Sequence, residues 1–271
     1  MVVEENHSYD QVIGSPEAPF LNRLADQGTL LTGFYATTHP SLPNYIAMVS
    51  GGTQGITSDC GDCNVDAANL ADQLERAGVS WTAYQQGLPT PCSDANLAGD
   101  YAKKHDPFMY FHSVRADPAR CAKVVPFDRL DADLGAGRLP RFVFVTPDLA
   151  HDMHGASGGD DASLVRAADD WLRALYGKLA ASSAWREDTR LVVTWDEGGG
   201  GGRGSCCGGL GAGGHIATIV AGPRVRPGRD PTTYDHYALL RSVEAAFGLP
   251  FLGHAADPTS ATIPAVAGPA G

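Results

Sequence analysis

The sequence predicts an α/β fold, in which a mostly parallel sheet carries helices on both faces. Short apolar runs alternate with segments whose apolar residues recur at helical spacing, as in successive βα units. Several apolar runs end in polar residues, as expected where ligands bind outside the carboxyl ends of parallel strands. Hydrophobic residues make up 43% of the 271 residues, enough to bury a sizeable core.

The first half of the chain supplies strands that are separated by amphipathic helices. Apolar side chains on one face indicate the first helix, and Gly78 ends the third. Residues 51–64 are polar and contain cysteines, which indicates a loop. The predicted elements are strands at 1–4, 30–36 and 80–84, helices at 18–27 and 69–77, a turn followed by a helix at 41–49, and a turn at 10–14.

The second half continues the alternation after a segment without a clear period. That segment, residues 87–123, contains many aromatics, and we expect an insertion over the edge of the sheet that shapes a substrate cleft. Glycine dominates residues 198–214, so a packed helix or strand would be entropically costly and a loop is expected. The remaining predicted elements are helices at 127–134, 162–180 and 235–247, and strands at 141–146, 190–195 and 215–221.

No break in composition marks a second domain, so a single domain over residues 1–253 and a loose tail over 254–271 are expected. The net charge of −11 argues against non-specific binding to nucleic acid or to anionic membranes, which require clustered Lys and Arg. No apolar run approaches the roughly 18 residues that span a bilayer, so no stable membrane insertion is expected. Oligomeric state leaves no signal in the sequence.

The six cysteines and the short first strand both bear on location. An even number of cysteines favours disulfides in an exported protein, with free thiols as the next alternative. A zinc ribbon is least favoured, because adjacent Cys206 and Cys207 lack the CxxC spacing. A strand at 1–4 is short for the centre of a sheet, so we expect upstream residues, an export leader among them, to precede it; a cytoplasmic location stays open.

Ser41 lies where a predicted strand turns into a predicted helix. A hydroxyl there is well placed to act as a nucleophile, because a helix N-terminus offers N–H groups and positive dipole to an anion. Pro43 fits the first turn, where its missing N–H costs nothing. The alternative is a Pro-rich loop in which Ser41 only caps the helix.

Acidic residues follow three of the predicted strands. Glu5 and Asn6 follow the first, Asp148 follows the strand at 141–146, and Asp196 with Glu197 follow the strand at 190–195. Clustered carboxylates repel one another, and a bound cation resolves that cost. One such residue would be an ordinary loop or cap residue. Three sets that converge on Ser41 favour a divalent metal held by Glu5, Asn6, Asp196 and Glu197.

Histidines add a second cluster after the strand at 141–146. Asp148, His151, Asp152 and His154 favour either a second metal site or an acid–base and phosphate-contact cluster over a solvated loop. His215 opens the strand after the glycine-rich loop, and His236 precedes the last helix. A lone His is more often structural, so a functional role for these two stays open.

Six ordered motifs together resemble a known family. They are Glu5 to Asp10, Thr38 to Tyr45, Thr146 to His154, Val193 to Gly198, Gly214 to Val220 and His236 to Arg241. The set resembles the bacterial phosphoesterase family of acid phosphatases, phosphatidylinositol phosphatases and non-haemolytic phospholipases C, in the alkaline-phosphatase-like superfamily. The likeness extends from Val2 to about Gly253.

The resemblance implies a three-layer α/β/α sandwich and a divalent metal ion, with the His cluster a candidate for a second. It places Glu5, Asn6, Ser41, Asp196 and Glu197 at the metal, with Ser41 as the nucleophile that forms a phosphoserine. It further implies that Asn44 contacts phosphate, and that His154 and His215 contact phosphate or a second metal, one of them serving as acid or base. Asp148 and His151 of the histidine cluster are expected to bind substrate.

Two departures from the family pattern matter. Ala150 and Ala156 stand where relatives carry Cys, so a disulfide clamping the His loop is not expected. Glu197 stands where some acid phosphatases have Asp, which leaves the identity of the metal open. The leading hypothesis is a metal-dependent phosphomonoesterase acting on a phosphate ester. The alternatives are a phospholipase C-type phosphodiesterase and a non-catalytic binding protein on the same fold.

Overall fold

A computed structural model describes residues 1–155, 160–199 and 212–268. Within them, eight strands form one sheet in the order β10-β2-β9-β8-β1-β7-β3-β6, and β4 pairs with β5 separately. The strands are β1 (Val2–Glu4), β2 (Thr29–Tyr35), β3 (Trp81–Gln85), β4 (Leu97–Ala98), β5 (Tyr101–Ala102), β6 (Val124–Pro126), β7 (Phe142–Thr146), β8 (Leu191–Trp195), β9 (Thr218–Ala221) and β10 (Gly228–Asp235). In the large sheet, only β9 runs antiparallel to its neighbours. The predicted α/β fold with a mostly parallel sheet is therefore confirmed.

The helices form two groups, as a sheet between two helical layers requires. The first group pairs α2 with α8, and in the second α3 contacts both α4 and α9 while α9 contacts α10. The α-helices are α1 (Tyr9–Val12), α2 (Pro19–Gln27), α3 (Ser41–Ser50), α4 (Leu70–Arg76), α5 (His112–Arg115), α6 (Pro118–Cys121), α7 (Arg129–Gly135), α8 (Asp161–Ala181), α9 (His236–Phe247) and α10 (Pro264–Ala267). No helix in these described ranges has the length and apolar character to cross a membrane.

The central strands of the sheet determine where the candidate site lies. Every residue of β1 and β8 is buried, as expected for strands covered on both faces. Val2 pairs with Val193 of β8 and with Val145 of β7, so the three strands run in parallel and end side by side. The polar residues that follow these three strands therefore emerge at one edge of the sheet.

The structure differs from the expected elements at several places, and β6 is one strand of the large sheet that was not predicted. β10 was not predicted, because its side chains are mostly exposed and a bulge interrupts it between Asp230 and Thr233. The turn expected at 10–14 is largely replaced by the short helix α1. The tail from 254, which was expected to be loose, packs through buried Ile263 and Val266 as far as residue 268.

Two disulfides are present, Cys60–Cys63 and Cys92–Cys121. Both involve cysteines that the sequence analysis assigned to disulfides, whereas Cys206 and Cys207 lie outside the described residues, as does most of the glycine-rich loop at 198–214. The second disulfide ties together the segment 87–123. The aromatic side chains of that segment are buried in the core instead of lining a cleft: Tyr101, Phe108, Tyr110 and Phe111 are at most 2% exposed.

Candidate active site

Ser41 is the first residue of α3 and is only 1% exposed. Its Oγ donates a hydrogen bond of 3.0 Å to Oε2 of Glu5, the residue that follows β1. The hydroxyl at the mouth of the helix and the carboxylate at the end of the central strand are therefore in direct contact. Glu5 and Ser41 are separated by 35 residues in the chain, and they meet at the edge of the sheet where the central strands end.

Asp196 and Asn6 lie beside this pair. Oδ1 of Asp196 accepts hydrogen bonds from the backbone N–H of Asn6 at 3.2 Å and of Glu197 at 2.6 Å. Asn6 has a φ of 45°, a left-handed conformation that Asn tolerates better than most residues, so the chain turns sharply after Glu5. This turn brings the side chain of Asn6 into the same buried region.

The free oxygens of this group fit a divalent cation. Asn6 Oδ1 and Asp196 Oδ2 are buried and have no hydrogen-bond partner among the described residues, and buried Glu5 Oε1 has an ion pair with His105 at 3.2 Å. Buried oxygens without partners are costly, and hard divalent cations take carboxylate and amide oxygens as ligands. No three His, Cys, Asp or Glu side chains in the described ranges are arranged to hold a metal by themselves. The candidate set is a mixed one, with an amide and a hydroxyl beside the carboxylates.

Burial makes the metal-free group electrostatically unfavourable. Burial, followed by the charges of Glu5 and Glu197, raises the pKa of Asp196 well above its ordinary value. Glu197 is turned toward His39, whose Nδ1 lies 2.7 Å from its Oε2. This bond to Glu197 raises the pKa of His39. Glu197 therefore follows Asp196 in the sequence, but its side chain contacts His39.

Asn44 holds the loop that leads into α3. Its Oδ1 accepts from the N–H groups of Thr37 at 3.1 Å and Thr38 at 3.0 Å, and its Nδ2 donates to the carbonyls of Thr38 and Pro40 at 2.8 and 3.1 Å. An amide has two N–H donors and two acceptor positions, so its capacity is filled. A phosphate contact by Asn44 stays a prediction, and the structure directs its hydrogen bonds to the loop.

His105 is a site residue that the sequence analysis did not identify. It is buried, with Nε2 3.2 Å from Glu5 Oε1 and Nδ1 3.2 Å from Asp152 Oδ2, and it stacks on Tyr45 at 5.5 Å. Burial opposes its charge, but Glu5 and Asp152 raise its pKa to about 9. Burial would also raise the pKa of Glu5, yet His105, with help from Lys104, holds it lower, at about 2.

Lys104, Asp59 and His154 lie at the rim of the same cluster. Lys104 Nζ lies 3.0 Å from Asp59 Oδ2 and 3.2 Å from His154 Nε2. The other oxygen of Asp59 accepts from the N–H of Leu42, the residue after Ser41, at 3.0 Å. Neither Lys104 nor Asp59 was singled out from the sequence, since both lie in segments without a clear period. In the segment 87–123, the two consecutive lysines before His105 were the one sequence feature that could have indicated a site.

Three histidines make other contacts. His151 Nδ1 lies 2.6 Å from Asp148 Oδ1, an ion pair that is 37% exposed at the histidine. His215 Nε2 lies 3.0 Å from the carbonyl of Thr32, with its ring stacked on Tyr9. Buried His236 Nε2 lies 3.0 Å from the carbonyl of Trp195. Among the contacts of the described residues, none joins His151 or His215 to Ser41, and their assigned roles stay predictions.

The chemistry of the site, rather than the size of a cavity, identifies it. A cavity of about 360 Å³ is lined by Val2, Phe142 and Leu191, the first residues of β1, β7 and β8, at the edge of the sheet opposite Ser41. At the other edge, a buried hydroxyl, free oxygens, a buried imidazole and a lysine converge. Such a group suits the transfer of an anionic group to the hydroxyl, because the positive charges offset the negative charge of the transferred group.

Comparisons with known proteins identify the family of the chain. The model of the phosphoesterase family matches residues 14–250. A phosphatidylinositol-3-phosphatase of Mycobacterium tuberculosis is 36% identical over 95% of this chain and 79% of its own length. An acid phosphatase of Aspergillus fumigatus is 32% identical over 92% of this chain but only 54% of its own length.

The fold has its own parallels among solved structures. A protein of the alkaline phosphatase superfamily from Vibrio parahaemolyticus superimposes with a TM-score of 0.63 at 18% identity, over 95% of this chain and 69% of that one. At that identity the likeness concerns the fold. The family match and the 36% identical relative show that the chain belongs to the phosphoesterase family and is a hydrolase acting on phosphoric ester bonds.

Proposed function

We propose that the chain is a metal-dependent phosphomonoesterase that forms a phosphoserine at Ser41. The contact of 3.0 Å between Ser41 Oγ and Glu5 Oε2, beside the unpartnered oxygens of Asn6 and Asp196, is the observation that supports it most. Glu5, Asn6, Asp196 and Ser41 would hold the cation, with Glu197 adjacent. A bound divalent cation would lower the pKa of the Ser41 hydroxyl and neutralise charge on the phosphoryl oxygens.

The side chains of the site then account for the proton transfers. With its proton lost to solvent, Ser41 Oγ forms a bond to phosphorus as the bond to the leaving oxygen breaks, while Glu5, whose pKa is about 2, stays ionised beside it. His154 gives a proton to the leaving alkoxide and later takes one from the water that attacks the phosphoserine. The oxygen of Ser41 then regains a proton from solvent, so that the products are an alcohol and inorganic phosphate.

Two observations favour a monoester over a phospholipase C-type diester substrate. A phosphomonoester carries two negative charges, and Lys104 and His105 both place positive charge near Ser41. A phospholipase needs an apolar surface, and the aromatics of residues 87–123 that were candidates for it are buried. The charges at the site therefore match a dianionic phosphoryl group better than a lipid diester.

Hydrolysis of p-nitrophenyl phosphate tests the proposal against its bis-ester and against p-nitrophenyl phosphorylcholine. We expect turnover of the monoester to exceed that of both diesters at least tenfold, to be lost with a chelator and to return with added divalent metal. Acid quenching followed by mass spectrometry is expected to trap phosphate on the peptide that contains Ser41. Faster turnover of a diester would favour the phosphodiesterase, and no turnover of any substrate by the metal-replete protein would favour a binding protein.

The two candidate acid–base histidines are expected to behave differently. His154→Ala should lower kcat for p-nitrophenyl phosphate about 100- to 1,000-fold, because His154 is beside Lys104 and the ring of His105. His215→Ala should lower kcat less than tenfold, because its Nε2 is engaged by the carbonyl of Thr32. Equal losses in the two variants, measured under saturating substrate, would contradict the assignment to His154.

The disulfides bear on the compartment in which the chain works. Cys60–Cys63 and Cys92–Cys121 are of the kind that persists in an oxidising environment. We infer from them an extracytoplasmic location. The partner that follows from the family and from the charges of the site is a phosphate-ester substrate, either a small molecule or a lipid head group.

A further inference from the structure

The N-terminus of α3 offers fewer free donors than its position beside Ser41 would imply. The N–H of Leu42 is bonded to Asp59 Oδ1 at 3.0 Å, and Pro43 has no N–H. A phosphoryl group attacked by Ser41 therefore meets few backbone donors from this helix. The charge that the phosphoryl group brings must be balanced by side chains instead.

The ammonium of Lys104 lies where it can balance the charge of the phosphoryl group. Its ammonium lies 3.0 Å from Asp59, whose other oxygen holds the residue next to Ser41. Its side chain is 21% exposed, so it lies at the rim, between the buried carboxylates and solvent. Among the residues that the structure describes, Asp59 and His154 engage at most two of its three N–H donors, which leaves one for an incoming oxygen.

The neighbouring lysine makes the contrast clear. Lys103 Nζ is buried and bonded to the carbonyl of Gly61 and to Asp94, so it ties two loops together. Lys104 instead points to the cluster that contains Ser41. Burial opposes its charge, but Glu5, Asp59 and Asp196 raise its pKa, so its ammonium stays charged.

We propose that Lys104 recognises the second negative charge of a phosphomonoester and so determines the preference for monoesters over diesters. This inference rests on the proposed function. Compared with a monoester, a diester has one negative charge fewer and one non-bridging phosphoryl oxygen fewer. Its binding therefore gains less from the ammonium of Lys104. Asp59 is the positioning residue that holds Lys104 beside the mouth of α3.

Lys104→Gln and Lys104→Met test the proposal, with Lys178→Gln as the control. Lys178 pairs with Asp131 on an exposed surface, so its variant makes the same charge change away from Ser41. We expect the Lys104 variants to lower kcat/KM for p-nitrophenyl phosphate about 10- to 100-fold, the range for a hydrogen bond between charged groups. Their kcat/KM for bis-p-nitrophenyl phosphate should fall less than threefold, and Lys104→Arg should keep most of the monoester activity.

Binding of inorganic phosphate supplies a readout that does not depend on turnover. Calorimetric titration should show at least tenfold weaker binding of phosphate to Lys104→Gln and Lys104→Met, and unchanged binding to Lys178→Gln. Equal losses on both esters, or unchanged phosphate binding by folded Lys104 variants, would overturn the role of Lys104. A wild-type protein that hydrolyses neither ester would instead overturn the proposed function, and the titration would still report on Lys104.

Discussion

Ser41→Ala is expected to lower turnover of p-nitrophenyl phosphate at least about 10⁴-fold while the protein keeps its metal. Ser41 Oγ is in contact with Glu5 Oε2, and loss of a nucleophile removes the covalent route as a whole. Glu5, Asn6 and Asp196 remain to hold the cation in the variant. Steady-state kinetics and metal analysis by mass spectrometry of the same preparation measure the two effects.

Ser50→Ala is the matched control for this variant. Ser50 is the last residue of the same helix, is 2% exposed, and donates its hydroxyl to the carbonyl of Ile46 at 2.8 Å. Ser50→Ala is the same substitution in the same helix, at the end of α3 away from Glu5. We expect turnover within about threefold of the wild type. Retained turnover in Ser41→Ala, with metal bound, would refute the phosphoserine intermediate.

Asp196→Asn is expected to lose metal and activity together. Oδ1 of Asp196 accepts hydrogen bonds from the N–H groups of Asn6 and Glu197. The amide oxygen of the Asn side chain can still accept both bonds, so the fold should be kept. The change removes the negative charge at the free Oδ2 that a divalent cation would use. Metal content should fall from about one ion per chain to near zero, and kcat/KM about 100- to 1,000-fold.

The thermal shift on adding Mn²⁺ provides a readout independent of activity. Binding to the folded state should raise the Tm of the wild type but leave that of Asp196→Asn unchanged. Asp133→Asn is the control, because Asp133 is a buried carboxylate that accepts from Tyr84 at 2.9 Å, outside the site. Its metal content and Tm shift should match the wild type. Normal metal content in Asp196→Asn would show that the metal lies elsewhere.

The pH dependence of metal binding follows from the same residue. Burial, Glu5 and Glu197 raise the pKa of Asp196 in the metal-free protein, so a proton and a cation compete for its oxygens. Lower pH favours the proton, and metal affinity should therefore fall as the pH is lowered. Titration of the wild type with Mn²⁺ at several pH values measures this, and an affinity that does not change with pH would contradict it.

The strand-end residues could be predicted because their positions depend on local patterns. Short apolar runs and the polar residues that follow them are visible in sequence, and parallel strands must end at the same edge. Glu5, Ser41 and Asp196 were found in this way. The polar strand β10 was missed for the same reason, since its side chains are mostly exposed and lack an apolar pattern.

The sequence by itself determined the α/β fold, the order of its central elements and the residues at the tips of β1 and β8. Only the tertiary structure decided that His105 contacts Glu5, that Lys104 contacts Asp59, that Asp59 occupies the N–H of Leu42, and that the aromatics of residues 87–123 are buried. The physical reason is that those contacts join segments without periodic pattern. Packing against distant parts of the chain sets their positions, and no local preference of the backbone encodes them.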